Sequence, residues 1–283
     1  MKTNVKVSAI QMDIKGMDME ANLAHMSDLI NKTVSEHHPE LIVFPELANS
    51  GYVKAGDPVF SNEYIKCAEK IPGPFTEGLG EQARKYGVYI VAGMLEAHPQ
   101  IPYTLYNSAV LIEPTGKIIG VHHKMHLPVV ERPFFYPGNT LEVFETELGN
   151  IAIQVCADGS FPELSRIFAL KGAEIICTTY NIPKQTGKDF LEERAHHVAV
   201  CRAMENLNFY IACNRVGSDA GGSFVGHSCI GGPWGQTLAY SSLDKEDILT
   251  AVLEEDEMVE ARAHYSYFRE RKPDLYSLLT APL

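Results

Sequence analysis

The order of short apolar runs along this chain restricts its fold more than any other feature. Residues 4–11 alternate apolar and polar side chains as a half-buried strand does, and Asp18 is placed to cap a helix whose apolar face is Leu23, Met26, Ile30 and Val34. Leu41–Phe44 is wholly apolar and short, the pattern of a buried strand. Helical spacing returns near 60–70 and 75–86, ended by Gly87, and strands fit 88–95 and 104–113. Pro114-Thr115-Gly116 reads as a hairpin turn into a strand at 117–122. A strand at 150–155, a helix near 162–171 stopped by Gly172, a strand at 174–178 and a long helix near 188–206 follow. Strands at 208–213, 224–231, 236–241 and 249–253, a helix near 256–268 and a tail complete the order.

Helices alternate with strands early and late, as in the crossover units of a parallel sheet, but hairpins interrupt the middle. One doubly wound parallel sheet fits that order poorly; two mixed sheets with outer helices fit it better. No linker, low-complexity segment or fixed-period repeat divides the chain, so its 283 residues are expected to form one α/β domain spanning 1–283.

Charge narrows the partners. Lys and Arg total 24 against 36 Asp and Glu, a net charge of −12, and an acidic chain without a basic patch repels phosphate backbones and anionic lipid. Nucleic acid and membranes are therefore not expected partners, and no apolar segment has the length to span a bilayer. The six cysteines (67, 156, 177, 201, 213 and 229) include no CxxC pair and lie mostly in apolar segments, as reduced cytoplasmic thiols do.

Three reactive side chains stand just past three apolar strands: Glu46 after Leu41–Phe44, Lys124 after 117–122 and Cys156 at the end of Ile151–Val155. Ligands bind at the carboxyl edge of strands in open α/β architectures, so these three are candidates for one site. Taken singly, a cysteine ending an apolar strand is most often a small buried hydrophobe, a glutamate after Pro45 a turn cap, and a lysine after a strand a solvated cation. His122 and His126 have i, i+4 spacing, but they leave a strand rather than ride a helix, so no metal ligand is assigned and no cofactor is expected. His37-His38 and His196-His197 read as helix-surface pairs. The glycine-rich 217–235 stretch lacks GxxxxGK and the chain lacks GxSxG, which sets aside a phosphate cradle and a serine hydrolase elbow.

Phe44-Pro45-Glu46-Leu47 with Gly51-Tyr52, Lys124-Met125-His126-Leu127, and Cys156-Ala157-Asp158 with Phe161-Pro162-Glu163 resemble, in order, the three signature regions of the nitrilase superfamily of carbon–nitrogen hydrolases. Similar supporting stretches are Glu131 with Phe134, Phe135 and Pro137-Gly138, Arg202 to Asn206 leading to Asn214, and Phe224 to Ser228 running to Gly235. The resemblance spans about residues 5–255 and implies a four-layer α-β-β-α sandwich. It also implies a Glu46–Lys124–Cys156 triad with Glu131 as a second acid nearby, and a homodimer or larger homo-oligomer using the last helix and the tail.

A free thiol has a pKa of about 8.5, so a nucleophilic Cys156 needs a neighbouring cation or base. Glu46 would then shuttle a proton near neutral pH, which calls for a buried carboxyl with a raised pKa. Loops leaving the same strand edge bring Tyr52, Phe135, Ala157, Tyr180 and Asn181 forward as substrate-binding candidates. Ala157-Asp158 stands where nitrile-cleaving relatives resemble one another in having Trp-Glu, and Gly159-Ser160 where carbamoyl-amino-acid hydrolases carry an arginine pair. The run through Gly159 to Glu163 looks most like aliphatic amidases and formamidases. The reading is a small neutral amide releasing ammonia, with a carbamoyl-amide hydrolase, a nitrilase and a catalytically silent interaction protein as the alternatives.

Overall fold

The computed structural model describes every residue except 186, 189, 190, 243, 282 and 283. Two six-stranded mixed sheets lie face to face with helices on their outer sides, the four-layer sandwich expected from the sequence. The first sheet contains β1 (Asn4–Gln11), β2 (Leu41–Val43), β3 (Tyr89–Ala97), β4 (Leu105–Ile112) and β5 (Ile118–His123). The second contains β6 (Val143–Thr146), β7 (Gly149–Val155), β8 (Ile175–Thr179) and β9 (Phe209–Cys213). A two-residue ribbon, β10 (Ser218–Asp219) with β11 (Gly222–Ser223), precedes β12 (Cys229–Gly231), β13 (Thr237–Tyr240) and β14 (Asp247–Glu254). The strand orders are β14-β1-β2-β3-β4-β5 and β13-β12-β9-β8-β7-β6.

Each sheet has three adjacent parallel strands flanked by antiparallel ones: β1-β2-β3 in the first, β7-β8-β9 in the second. Because β4 runs back between β3 and β5, the ends of β2 and β5 reach the same edge of their sheet. Period-2 alternation then sorts the side chains. Val5, Val7, Val43, Val91, Ile151, Ile153, Ile175 and Ile211 point between the sheets, and each such burial contributes about 1.5–3 kcal/mol. Their neighbours Ile10, Ile42, Ile90 and Val110 point outward onto α1 (Met19–His37) and α3 (Pro74–Tyr86) through Met26, Ile30, Phe75 and Leu79. On the other side Ala152, Ile176 and Ala212 meet α4 (Pro162–Leu170) and α5 (Arg194–Asn206).

The helices start where local chemistry lets them. Asp18 caps α1 by accepting from the Ala21 N–H at 3.1 Å, and Asp57 caps α2 (Pro58–Lys66) through the amides of Val59 and Phe60. Proline opens α2, α3 and α4 at a position whose N–H has no helical acceptor. On α5, Ala195, Ala199 and Ala203 form a small-residue stripe that lets the helix lie close to β9 and β12.

Three expectations differ in detail. The long helix begins at Arg194 rather than near 188, and part of the earlier stretch (189 and 190) lies outside the described residues. The strand expected at 224–231 shrinks to Cys229–Gly231, because Gly226 (φ 72°) and His227 (φ 59°) leave the extended region. Strand β6 was not anticipated; its side chains are mostly half-buried at a sheet edge, so its apolar pattern is weak.

One glycine sets how β3 approaches the turn after β2. A methyl at Gly93 would lie 2.5 Å from Glu46 Cα, 2.6 Å from Pro45 O and 2.8 Å from Leu47 N, all backbone that cannot swing aside. Overpacking of this kind costs about 1–3 kcal/mol. Gly93→Ala should therefore lower Tm by about 2–10 °C in calorimetry, and an unchanged Tm would contradict the close contact between these backbones.

Candidate active site

The C-terminal ends of β2, β5, β7 and β8 deliver the site. Past β2 the chain turns through Leu47 (φ 51°), leaving Glu46 fully buried. Lys124 follows β5 and is held by its N–H to Asn107 O at 2.8 Å, and it too is fully buried. Its ammonium lies 2.6 Å from Glu46 Oε1 and 2.7 Å from Glu131 Oε1, so one cation serves two carboxylates. Asn107 Nδ2 donates to Glu46 Oε1 at 2.7 Å, and Tyr52 OH donates to Glu131 Oε1 at 2.7 Å. The second oxygens, Glu46 Oε2 and Glu131 Oε2, are buried without a hydrogen-bond partner among the described residues.

Cys156 starts a short 3₁₀ helix, Cys156–Ser160, in a left-handed conformation (φ 46°) that a side chain rarely adopts. The bend points its half-buried thiol away from the strand and toward the cluster, whose charges all act on it. Burial pushes the thiol pKa up, Glu46 adds to the rise, Lys124 opposes it and Glu131 adds again; the net shift is well above the ordinary thiol value. Burial also raises Glu46, with Glu131 reinforcing and Lys124 opposing. Burial disfavours the Lys124 ammonium, but the two carboxylates outweigh it and hold its pKa well above the usual lysine value. The resting cluster therefore holds a firm ammonium, a carboxyl that accepts a proton readily and a neutral thiol.

A cavity of about 360 Å³ opens over Cys156, walled by Tyr52, Pro128, Val130, Ala157, Tyr180 and Asn181 among others. Tyr52, Ala157, Tyr180 and Asn181, four of the five residues expected to bind substrate, line the same cavity as Cys156. Phe135 instead packs with Leu47, Tyr52 and Tyr64 and lines an adjoining cavity of about 690 Å³. Glu131 is no solvated loop carboxylate paired with Arg132, whose Nε donates to Leu127 O.

The sequence profile of the carbon–nitrogen hydrolase family matches residues 6–263. The chain belongs to this family, within the nitrilase superfamily. A probable nitrilase of Schizosaccharomyces pombe is 35% identical over 286 residues, covering all of both chains. An omega-amidase of Xenopus tropicalis is 29% identical, covering 96% of this chain and 97% of its own. The crystal structure of a carbon–nitrogen hydrolase from Helicobacter pylori superposes with a TM-score of 0.88 at 28% identity, covering 99% of each chain. Like other members, this hydrolase acts on carbon–nitrogen bonds, and no described helix is long and apolar enough to cross a membrane.

Besides Asn107, two supports of the Glu46–Lys124–Glu131 cluster were not read from the sequence. Asp158, two residues past Cys156 and fully buried, accepts from the N–H groups of Val155 (3.2 Å) and His126 (3.0 Å). It also pairs with His122 Nε2 at 3.0 Å and His126 Nδ1 at 2.8 Å. The i, i+4 histidines therefore converge on a carboxylate, tying the Lys124 segment to the Cys156 turn. Burial alone would raise the Asp158 pKa, but the hydrogen bonds from His122 and His126 carry it below the usual carboxylate range. The second support is Arg215, buried after β9, which binds Asp219 Oδ2 at 2.6 Å while that same oxygen accepts from Tyr52 N–H at 2.8 Å. It braces the loop that aims Tyr52 at Glu131.

Among the described residues Glu193, His196 and His197 on α5 lie close enough together to hold an ion, and His197 is exposed. Glu193 is the N-cap of α5 and adjoins Arg194, which lines the cavity over Cys156.

Because the Asp158 pKa is depressed in the folded state, its contribution to stability is complete above the unfolded carboxylate value of about 3.9 and fades as pH falls through the lower folded value. Asp158→Asn should cost about 2–4 kcal/mol at pH 7. The gap between variant and wild type in urea unfolding should narrow below about pH 4. A pH-independent gap would show that charge at Asp158 is not what holds the two segments together.

Proposed function

We propose that this protein is a thiol-dependent amidohydrolase that cleaves the carbon–nitrogen bond of a small amide through a thioester on Cys156 and releases ammonia. The observation that carries the reading is the buried Glu46–Lys124–Glu131 cluster beneath the cavity that Cys156 lines, with Glu46 Oε2 left without a hydrogen-bond partner among the described residues; burial raises the pKa of both the thiol and the Glu46 carboxyl. A resting thiolate would need no base; a neutral thiol does.

In this reading Glu46 takes the thiol proton as sulfur bonds to the amide carbon. The oxyanion that forms is stabilised by the Lys124 ammonium and the Ala157 backbone N–H. Glu46 returns the proton to nitrogen, the carbon–nitrogen bond breaks and ammonia leaves. Water then attacks the thioester while Glu46 takes its proton, the carbon–sulfur bond breaks, and the proton passes to sulfur to restore the thiol. Glu131 and Asn107 act as positioning residues: they hold Lys124 and Glu46 in place through the hydrogen bonds at Lys124 Nζ and Glu46 Oε1. No step requires a metal or a cofactor. The omega-amidase relative supports an amide, and Ala157-Asp158 after the nucleophile supports it over a nitrile. Exposed Val259 on α6 (Glu255–His264) and Leu275, Leu278 and Leu279 in the tail support self-association through the C-terminal segment.

The test is ammonia release across an amide panel. Cys156→Ala should lose activity by about 10⁴-fold or more while keeping its Tm, and Cys156→Ser should be nearly as inactive. Glu46→Gln should lack acylation, and the wild-type kcat/KM should rise with pH through a group above the ordinary glutamate value, since Glu46 must be ionised to accept the proton. Substantial turnover by Cys156→Ala, or by Glu46→Gln, would refute the assigned roles. EDTA should leave the rate unchanged.

A further inference from the structure

Residues three and four apart on a helix present their side chains to one side, with Cβ atoms about 5–6 Å apart. Glu193, His196 and His197 have that spacing at the start of α5, and one ligand atom from each falls within 4.8 Å of the other two. His197 Nε2 already stands 3.6 Å from Glu193 Oε2. A zinc ion holds nitrogen and carboxylate oxygen at about 2.0–2.2 Å, so its ligand atoms lie roughly 3–3.5 Å from one another. Glu193 and His197 are exposed, and rotation of their side chains covers the remaining distance.

His196 is the anchored member of the three. Its Nε2 lies 2.9 Å from Thr237 Oγ1, and its ring packs on Tyr240 with centroids 4.4 Å apart, both partners belonging to β13. Its Nδ1 is buried with no hydrogen-bond partner among the described residues. When Nε2–H donates to Thr237, Nδ1 carries the open lone pair; metal-binding histidines are oriented in this way, by giving their other N–H to a neighbouring acceptor.

The surroundings leave the carboxylate and the two rings to one another. Lys184 pairs with Glu192 at 3.1 Å, and Arg194 Nη2 donates to Ser160 Oγ at 2.7 Å. Glu193 is the N-cap residue of α5, yet its side chain accepts no capping hydrogen bond, so the helix does not account for the carboxylate. The donor set also selects the ion. Two imidazoles and one carboxylate, with water in the fourth position, suit Zn²⁺ and the neighbouring late first-row dications, whereas Mg²⁺ and Ca²⁺ take oxygen ligands.

We propose that Glu193, His196 and His197 form a binding site for a divalent transition-metal ion of the zinc class, and that the ion fastens the first turn of α5 without entering the hydrolysis. The site stands independently of the roles read for Cys156 and Glu46. Its place in the fold gives it a consequence, because Arg194 lies between these ligands in sequence, lines the cavity over Cys156 and is tied to Ser160 at the end of the Cys156 turn. An ion on α5 therefore stiffens one wall of that cavity from outside.

The experiment is calorimetric titration of the full chain with ZnCl₂ and with NiCl₂ in a non-chelating buffer, on the wild type and on Cys156→Ala, where no ion can be held by the thiol of the site. Cys156→Ala should bind one ion of either metal, and a hundredfold excess of Mg²⁺ should not displace it. His197→Ala and His196→Ala should each weaken binding at least ~10-fold, and Thr237→Val, which removes no ligand, should weaken it about 10-fold through the lost orientation of His196. His197 is exposed, so His197→Ala tests the site without disturbing the core. Saturating Zn²⁺ should raise the Tm of Cys156→Ala by roughly 3–8 °C, and EDTA should return it to the ion-free value. No saturable binding to Cys156→Ala by ~1 mM of either ion, or an affinity that His197→Ala leaves within about 3-fold of its parent, overturns the site. Binding without any rise in Tm overturns the fastening of α5.

Discussion

A single ammonium buried between two carboxylates sets the conditions for everything around Cys156. Removing Lys124, Glu46 and Glu131 from water costs several kcal/mol per ion, and only short, well-aimed contacts offset it. The structure supplies them: 2.6 and 2.7 Å at Lys124 Nζ, with Asn107 and Tyr52 donating to the same carboxylate oxygens. The balance is incomplete by one charge, since two carboxylates face one cation. Burial first, and that residual negative potential after it, raise the pKa of the Cys156 thiol and of Glu46. The cluster thus favours a proton passed between two groups over a standing thiolate.

Holding such a cluster requires rigidity from segments far apart in sequence. Asp158 fastens the turn after β7 to the end of β5 and the segment that follows it, 32 to 36 residues earlier, with two histidines and a backbone amide. Arg215 and Asp219 do the same for the loop after β2, fixing Tyr52 from the other sheet. The face-to-face sheets make these long connections possible, because they bring the ends of β2, β5, β7 and β8 to one place. Gly93 completes the geometry by letting β3 run against the Glu46 backbone without a side chain between them.

Much of this was legible from residue order. Glu46, Lys124 and Cys156 each follow a short apolar strand, which made them candidates for one site, and the order of strands and helices favoured two mixed sheets with outer helices; the triad and the four-layer sandwich were read from the family resemblance. The supports were harder to see for a physical reason: their partners are distant in sequence. Asp158 looks like any turn acid until His122 and His126 arrive from β5, and those histidines resemble a metal pair until Asp158 is seen between them. Asn107 sits inside an apolar strand and gives no sign that its amide faces Glu46. The over-long strand at 224–231 failed because buried apolar residues such as Phe224 and Val225 also occur in irregular chain, where isolated hydrogen bonds to Gly217 and Ile182 replace a ladder.

The central claim is that Cys156 carries the acyl group between two proton transfers by Glu46. Acid-quenching the wild-type enzyme during steady turnover of a slow amide, followed by intact-protein and peptide mass spectrometry, observes that intermediate directly. The account predicts a mass increase equal to the acyl group, confined to the peptide containing Cys156 and lost on treatment with hydroxylamine. Sustained turnover with no adduct on any peptide, under conditions where thioester hydrolysis is slowed enough to trap one, would contradict it.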